Sequence, residues 1–318
     1  MTKPKILAVA GPTASGKSAL AVRLATEFCG EIISCDSMQI YRRMDIGTAK
    51  PTEEERALVP HRMIDVISPE SDFSCADYVK MVSGEVKEVL GCGRLPIFCG
   101  GTGLYLDAFL RGSDFAETSI DEGLREELRE YALREGNEAL HRELKKIDPK
   151  SAEEIHPNNV KRVIRAIEIY RTSGKTKSEI DRLSKESVSE YDALVIALKY
   201  NDRELLYRRI DERVDQMIAE GLVKETEMLY KEGIFEKNST ASQAIGYKEM
   251  LGFLEGEMTL QEASELLKTA TRRYAKRQMT WFSSKDYVKW IDADRDGAMR
   301  AFDEIVEDAV LLMRENGF

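Results

Sequence analysis

The stretch GPTASGKS, Gly11 to Ser18, has the spacing G-x-x-x-x-G-K-[ST] and lies between an apolar run, ILAVA, and a helix-forming segment, SALAVRLATEF. Each residue type in it suits a phosphate. Gly11 and Gly16 allow a tight path on which successive N–H groups turn inward, and the following helix adds the positive end of its dipole. Lys17 supplies a point charge and Ser18 a hydroxyl for Mg²⁺. Gly11, Pro12, Thr13, Ala14, Ser15, Gly16, Lys17 and Ser18 are therefore the candidate diphosphate or nucleotide site, with Ser18 the one candidate metal ligand. The motif names a ligand class and not a reaction. A phosphate-hydrolysing enzyme of this type ordinarily offers a second apolar strand ending in Asp. Here the strand LPIFC runs into GGTG, and the strand-end carboxylate is Asp36, in the tetrad Asp36-Ser37-Met38-Gln39. A carboxylate there has three available roles: a water-mediated Mg²⁺ ligand, a general base, or a helix cap. The amide of Gln39 suits reading a base edge, or is that of an ordinary exposed glutamine.

Elements must hold these residues together. ILAVA (Ile6 to Ala10), EIISCD, LPIFC (Leu95 to Cys99) and ALVIALKY (Ala193 to Tyr200) are short apolar runs of the kind buried in parallel sheets, and the first three alternate with helical segments. Ligands in such sheets sit at the carboxyl ends of strands, and the sequence order suggests that Asp36 lies on the strand next to the loop strand. Ser74 with Asp77, and Thr259 with Glu262, have capping-box spacing, and PTEEER (Pro51 to Arg56) reads as a solvated loop or helix start. From Phe115 to Glu190 the segments are charged and helical, with no strand candidate. The expected fold is α/β: a P-loop parallel-sheet core (1–114 and 190–318) with an all-helical insertion (115–189) and C-terminal helices.

The order of GPTASGKS, DSMQIYRRMDIGTAKP, PHRMIDV, GGTGLYL, AIGYKE and TRRYAKRQMTWF resembles the bacterial type of the tRNA dimethylallyltransferase (tRNA isopentenyltransferase) family, from the first strand to about Phe282. The resemblance implies transfer of a dimethylallyl group from dimethylallyl diphosphate to N6 of the adenosine 3′ of the anticodon. It makes Asp36 the general base, surrounds the flipped adenine with Ser37, Met38 and Gln39, and puts the diphosphate on Thr13 to Ser18. Thr102 matches a residue near the RNA and joins Asp36 and Lys17 in the expected catalytic set. Arg213 matches an arginine near the diphosphate, and Arg125, more loosely, one that contacts tRNA. The segments Lys161, Arg162, Val163, Ile164, Arg165 and Gln243, Ala244, Ile245, Gly246, Tyr247, Lys248 match tRNA-approaching stretches. Ser283 stands where the family has arginine, one positive charge fewer.

The composition must accommodate RNA on an acidic chain. The net charge of −10 over 318 residues argues against unselective nucleic-acid binding. Two local stretches reverse it: Lys268 to Lys285 has six basic residues and no acid, and Asn158 to Lys177 has six basic residues and one acid. Arg272, Arg273, Lys276 and Arg277 are accordingly candidate phosphate contacts. Tyr274, Trp281 and Phe282, interleaved with them, would stack on bases or form helix core. Five cysteines without a CxxC pair, and three histidines, support neither a disulfide framework nor a zinc site. His61 and His156 suit turn capping or packing. The early strand, with no apolar run of membrane-spanning length, leads us to expect a cytoplasmic protein, acting as a monomer with Mg²⁺ as cofactor. The rival readings are a P-loop small-molecule kinase, an adenylate isopentenyltransferase acting on free AMP, and a nucleotide-dependent RNA-binding switch. The large insertion and basic helices argue against the AMP reading.

Overall fold

The expected apolar runs form the centre of a parallel sheet whose strand order differs from the sequence order. In the computed structural model, which describes residues 3–112, 121–186, 189–237 and 239–318, β1 is Lys5–Ala10, β2 Gly30–Ser34, β3 His61–Arg62, β4 Leu95–Cys99, β5 Asp192–Lys199 and β6 Val288–Asp292. They pair in the order β3-β2-β4-β1-β5-β6, all parallel. β4 therefore separates β2 from β1, so Asp36 is not on the strand adjacent to the loop strand as the sequence order suggests. The chain crosses from β1 to β2 over the helix Lys17–Glu27 and leaves one strand position vacant for β4. Leu7, Val9, Ile32, Ile97, Leu194 and Ile196 of these strands pack with Leu20 and Leu24 of that helix, all buried.

Two strands of this sheet, and the short antiparallel pair Asp294–Arg295 with Ala298–Met299, escaped the sequence reading. β3 is too short to carry a pattern, and β6, VKWID, is an edge strand with only Val288 and Ile291 buried. The C-terminal helix Phe302–Glu315 places Ile305, Val306, Ala309, Val310 and Met313 in the sheet's core. Both expected capping boxes form, on the helices Cys75–Gly91 and Leu260–Ser283, and PTEEER starts a third capped helix, Glu53–Leu58.

The chain divides into two compact units, Met1–Phe109 with Glu190–Phe318, and Leu110–Ser189. The expected boundary at 114/115 falls among residues 113–120, outside the described residues. Among the described residues of the second unit every regular element is a helix. Its core joins Leu128, Leu140, Leu144, Val163, Ile164 and Ile167. Val163 and Ile164 are thus packing residues, and their side chains are not available to RNA as the matched segment suggested.

Glu168, in the helix Val160–Ser173 of that unit, is fully buried. Arg165 Nη1 (2.6 Å), Arg125 Nε (2.9 Å) and the Asp121 N–H (2.9 Å) all donate to it. Burial alone would raise its carboxyl, but the bonds from Arg165, Asp121 and Arg125 prevail and hold it below the ordinary carboxylate value. A depressed folded-state pKa stabilises above the unfolded value and loses that stabilisation as pH falls through the folded one. Glu168→Gln is therefore expected to lower the local opening free energy of Val160–Ser173 by about 1–3 kcal/mol at neutral pH. It should also flatten the loss of protection that the wild type shows below the carboxylate range. Amide hydrogen exchange between pH 3 and 7 checks both.

Candidate active site

The phosphate loop is shaped by its neighbours before any ligand binds. Gly16 precedes the helix Lys17–Glu27 at φ 93°, a left-handed conformation that a glycine accepts without strain. The first-turn N–H groups of that helix have no intrahelical acceptor. Tyr200 Oη donates to the Ser15 carbonyl (3.1 Å) and Arg209 Nε to the Ala14 carbonyl (2.9 Å), fixing the loop's outer side. Lys17 Nζ donates to the Pro12 carbonyl at 3.1 Å. Pro12 itself has no N–H to offer, and the Thr13 N–H is engaged by Gln278 Oε1 at 2.8 Å. Of the eight candidates, Ala14 to Ser18 line the outer cavity and Thr13, Lys17 and Ser18 the central one. Gly11 and Pro12 line neither; they make the turn.

Three cavities meet at this loop. An outer one of about 710 Å³ opens over Ala14 to Ser18, Lys50 and Arg209. A narrow central one of about 70 Å³ contains Lys17, Ser18, Asp36, Cys99 and Tyr274. The third, about 300 Å³, runs over Asp36, Ser37, Met38, Gln243, Ala244, Ile245 and Arg277. Arg213 lines all three. The central cavity shares Lys17 and Ser18 with the outer one, and Thr13, Asp36 and Tyr274 with the third. Gln243, Ala244 and Ile245 of the expected segment, with Arg277, line the third cavity beside Asp36, Ser37 and Met38, while Gln39 lines the central one.

The electrostatics favour an anion at the narrow point. Burial lowers the Lys17 ammonium; Cys99 and Asp36 oppose that shift and Arg213 adds to it. Burial likewise lowers the Arg213 guanidinium, against the pull of Asp36 and Glu55. Two poorly solvated cations facing one cavity gain from a multiply charged anion. Burial pushes the Cys99 thiol up to about 11, so beside Lys17 it is a neutral wall. Burial, with Asp36 acting in the same direction, raises the Tyr274 phenol, which stays an O–H donor.

Asp36 lies just past the end of β2, and its loop is tied to the GGTG turn. The Ser37 N–H donates to Thr102 Oγ1 (3.1 Å), and the Thr102 N–H to the Cys35 carbonyl (3.1 Å). Asp36 Oδ1 accepts the Met38 N–H at 2.9 Å and closes a turn; no helix starts there, so this is not the helix cap offered as an alternative. Thr102 thereby orients the loop that carries Asp36. The Gln39 amide is engaged within the protein: Oε1 accepts from Ser34 Oγ (2.8 Å), and Nε2 donates to the Thr48 (3.3 Å) and Ala49 (3.1 Å) carbonyls. With that amide's oxygen and both its N–H groups engaged, Gln39 is a brace for the DIGTAK loop and not a free reader of a base edge.

Several basic candidates also turn out to be structural. Arg272 makes a bidentate pair with Asp211 and lies over the Tyr207 ring. Lys268 pairs with Asp215 and Glu265, and Lys285 with Asp107. Arg273, Lys276 and Arg277 are exposed and make no ion pair among the described residues. Tyr247 is fully buried and donates to Glu225 Oε1 at 2.6 Å, and Gly246 is buried beside Gly47. Gln243 and Lys248 remain exposed. Phe282 is core; Trp281 lies against Gly103 with Lys285 over its ring. His61 bonds the Val59 carbonyl and His156 the Asn158 N–H, in keeping with turn roles.

Sequence reasoning missed Glu225 and Gln278. Glu225 accepts the N–H groups of Asp45, Ile46 and Gly47 at 2.9–3.0 Å and so shapes the DIGTAK loop, yet no pattern marks it. Gln278 stood inside a motif recognised only as a whole.

A parallel sheet with a phosphate loop after its first strand, and an acid lining the same cavity as that loop, defines an α/β P-loop protein. A family model described as "IPP transferase" matches residues 39–285, and one described as "Isopentenyl transferase" matches residues 4–66. The chain belongs to the IPP transferase family. It is 49% identical over 289 residues to the tRNA dimethylallyltransferase of Acetivibrio thermocellus, covering 91% of this chain and 92% of that one. It is also 49% identical over 290 residues to that of Halalkalibacterium halodurans, covering 91% of each. Among solved structures it resembles the full-length tRNA isopentenylpyrophosphate transferase of Bacillus halodurans (TM-score 0.73, 44% identity, 99% and 97% of the two chains). It also resembles a eukaryotic dimethylallyltransferase acting on tRNA (TM-score 0.83, 29% identity, 98% and 79%). No helix of the described residues is long and apolar enough to cross a membrane.

Proposed function

We propose that this chain transfers a dimethylallyl group from dimethylallyl diphosphate to N6 of the adenosine 3′ of the anticodon in tRNA, acting as a cytoplasmic monomer. The observation that carries the reading is the narrow cavity that Lys17, Ser18 and Arg213 line together with Asp36. In that space the N6–C1 bond forms as the C1–O bond to diphosphate breaks, and the N6 proton passes to the free oxygen of Asp36. An exocyclic adenine amine is a weak nucleophile, and its allylic partner has a good leaving group. The larger task is stabilising charge on the departing diphosphate, which the loop amides, Lys17 and Arg213 perform. An anticodon-loop base is already single-stranded, which reduces the cost of extruding it into the third cavity.

Mg²⁺ fits this site through hard oxygen donors. The Ser18 hydroxyl and the Glu55 carboxylate line the central cavity and would hold it. When bound with the diphosphate, the ion would neutralise part of the leaving group's charge. A kinase reading lacks support, since the relatives are named for prenyl transfer to tRNA. Mass spectrometry of an anticodon stem-loop incubated with donor and Mg²⁺ checks the reading. One C5H8 unit on the adenosine 3′ of the anticodon is expected; unchanged RNA contradicts it.

A further inference from the structure

Gln278 is buried, 4% exposed, on the helix Leu260–Ser283, and its single amide touches two loops of opposite duty. Its Oε1 accepts the Thr13 N–H of the phosphate loop at 2.8 Å, and its Nε2 donates to the Gly101 carbonyl at 3.1 Å. The partners force this orientation, since an N–H only donates and a carbonyl only accepts. Gly101 leads into Thr102, which holds Ser37 and hence the Asp36 loop. A Cβ at Gly101 would overlap Gln278 Nε2, so the glycine is what lets the amide approach.

We infer that Gln278 is a positioning residue that fixes the separation between the leaving group and the proton acceptor. The inference rests on the functional reading above. An amide alone among the side chains of this size presents an acceptor to one loop and a donor to the other. A carboxylate would repel the Gly101 carbonyl, and an apolar side chain would release both loops. Each half-site keeps its own ligand contacts without Gln278; what is lost is their spacing, to which rate is more sensitive than binding. Misplacement by about 1 Å lowers rate about 100-fold.

The test compares wild type, Gln278→Ala, Gly101→Ala and the double variant. It measures single-turnover transfer to an anticodon stem-loop, and dissociation constants for that RNA and for a non-reactive thiolodiphosphate analogue of the donor. Gln278→Ala is expected to slow transfer about 100-fold while each dissociation constant changes less than about threefold. Gly101→Ala, which displaces the amide from outside, should slow transfer similarly, and should add nothing once Gln278 is alanine. That non-additivity is a signature a merely stabilising residue would not give. Three results overturn the inference: transfer by Gln278→Ala within about threefold of wild type, a loss of donor affinity in step with rate, or multiplying losses in the double variant. A wild type that transfers while Gln278→Ala keeps its rate rejects the inference alone; a wild type that transfers nothing rejects the proposed function with it.

Discussion

Asp36→Ala is expected to slow single-turnover prenyl transfer by about 10²- to 10⁴-fold, with little change in donor affinity. The magnitude is that of a general base removed from a proton transfer in the transition state. The geometry supports a rate effect more than a binding effect. One carboxylate oxygen is held by the Met38 N–H, which orients the group, and the loop is fixed independently through Ser37 and Thr102. Removing the side chain therefore leaves the loop's path in place. Asp36→Asn sharpens the test, because it keeps the Met38 bond and the size while losing basicity, and should fall nearly as far as alanine. A drop of less than about tenfold for both would leave Asp36 with the turn-closing bond to Met38 alone.

Lys17→Ala should impair binding and turnover together. Lys17 is buried against its own charge, so a diphosphate relieves that cost on binding and gains further as charge grows on the leaving oxygen. The expected fall in kcat is about 10²- to 10³-fold, with donor KM rising about tenfold or more. Lys17→Arg should not rescue it, because a planar fork does not reproduce the point charge of an ammonium and Arg213 already lines the same cavity. Pre-steady-state measurement of donor binding and of chemistry separates the two losses. A variant with lowered kcat and unchanged donor affinity would place Lys17 away from the diphosphate.

What was legible in the sequence was local. The four apolar strands, the phosphate loop and the capping boxes declare themselves within short windows, because apolar run length and cap spacing are local properties. The fate of a charged side chain is not. Six cations without an acid between Lys268 and Lys285 suggest an RNA-facing stripe. Three of them are neutralised from elsewhere, by Asp211, Asp215 and Asp107 together with the nearby Glu265. Only the pairing of distant helices reveals this, and it narrows the exposed basic set to Arg273, Lys276 and Arg277. Gln39 shows the same limit. Its side-chain type suits base recognition, but the DIGTAK loop folds back onto it and occupies its amide. Strand order, too, is a property of crossovers, which is why β4 came to separate the two site strands. The position of Asp36 at a strand end was legible because a strand end is a local feature and the parallel sheet gathers such ends on one edge.

The central claim is that the phosphate loop holds a leaving group whose partner is a tRNA adenosine. Its most direct test is incubation with isotopically labelled dimethylallyl diphosphate and Mg²⁺, offering unmodified tRNA and free AMP in parallel. The account predicts label in tRNA, recovered on digestion as N6-modified adenosine from the position 3′ of the anticodon, and none in AMP. Label in AMP, or in neither acceptor, would contradict it.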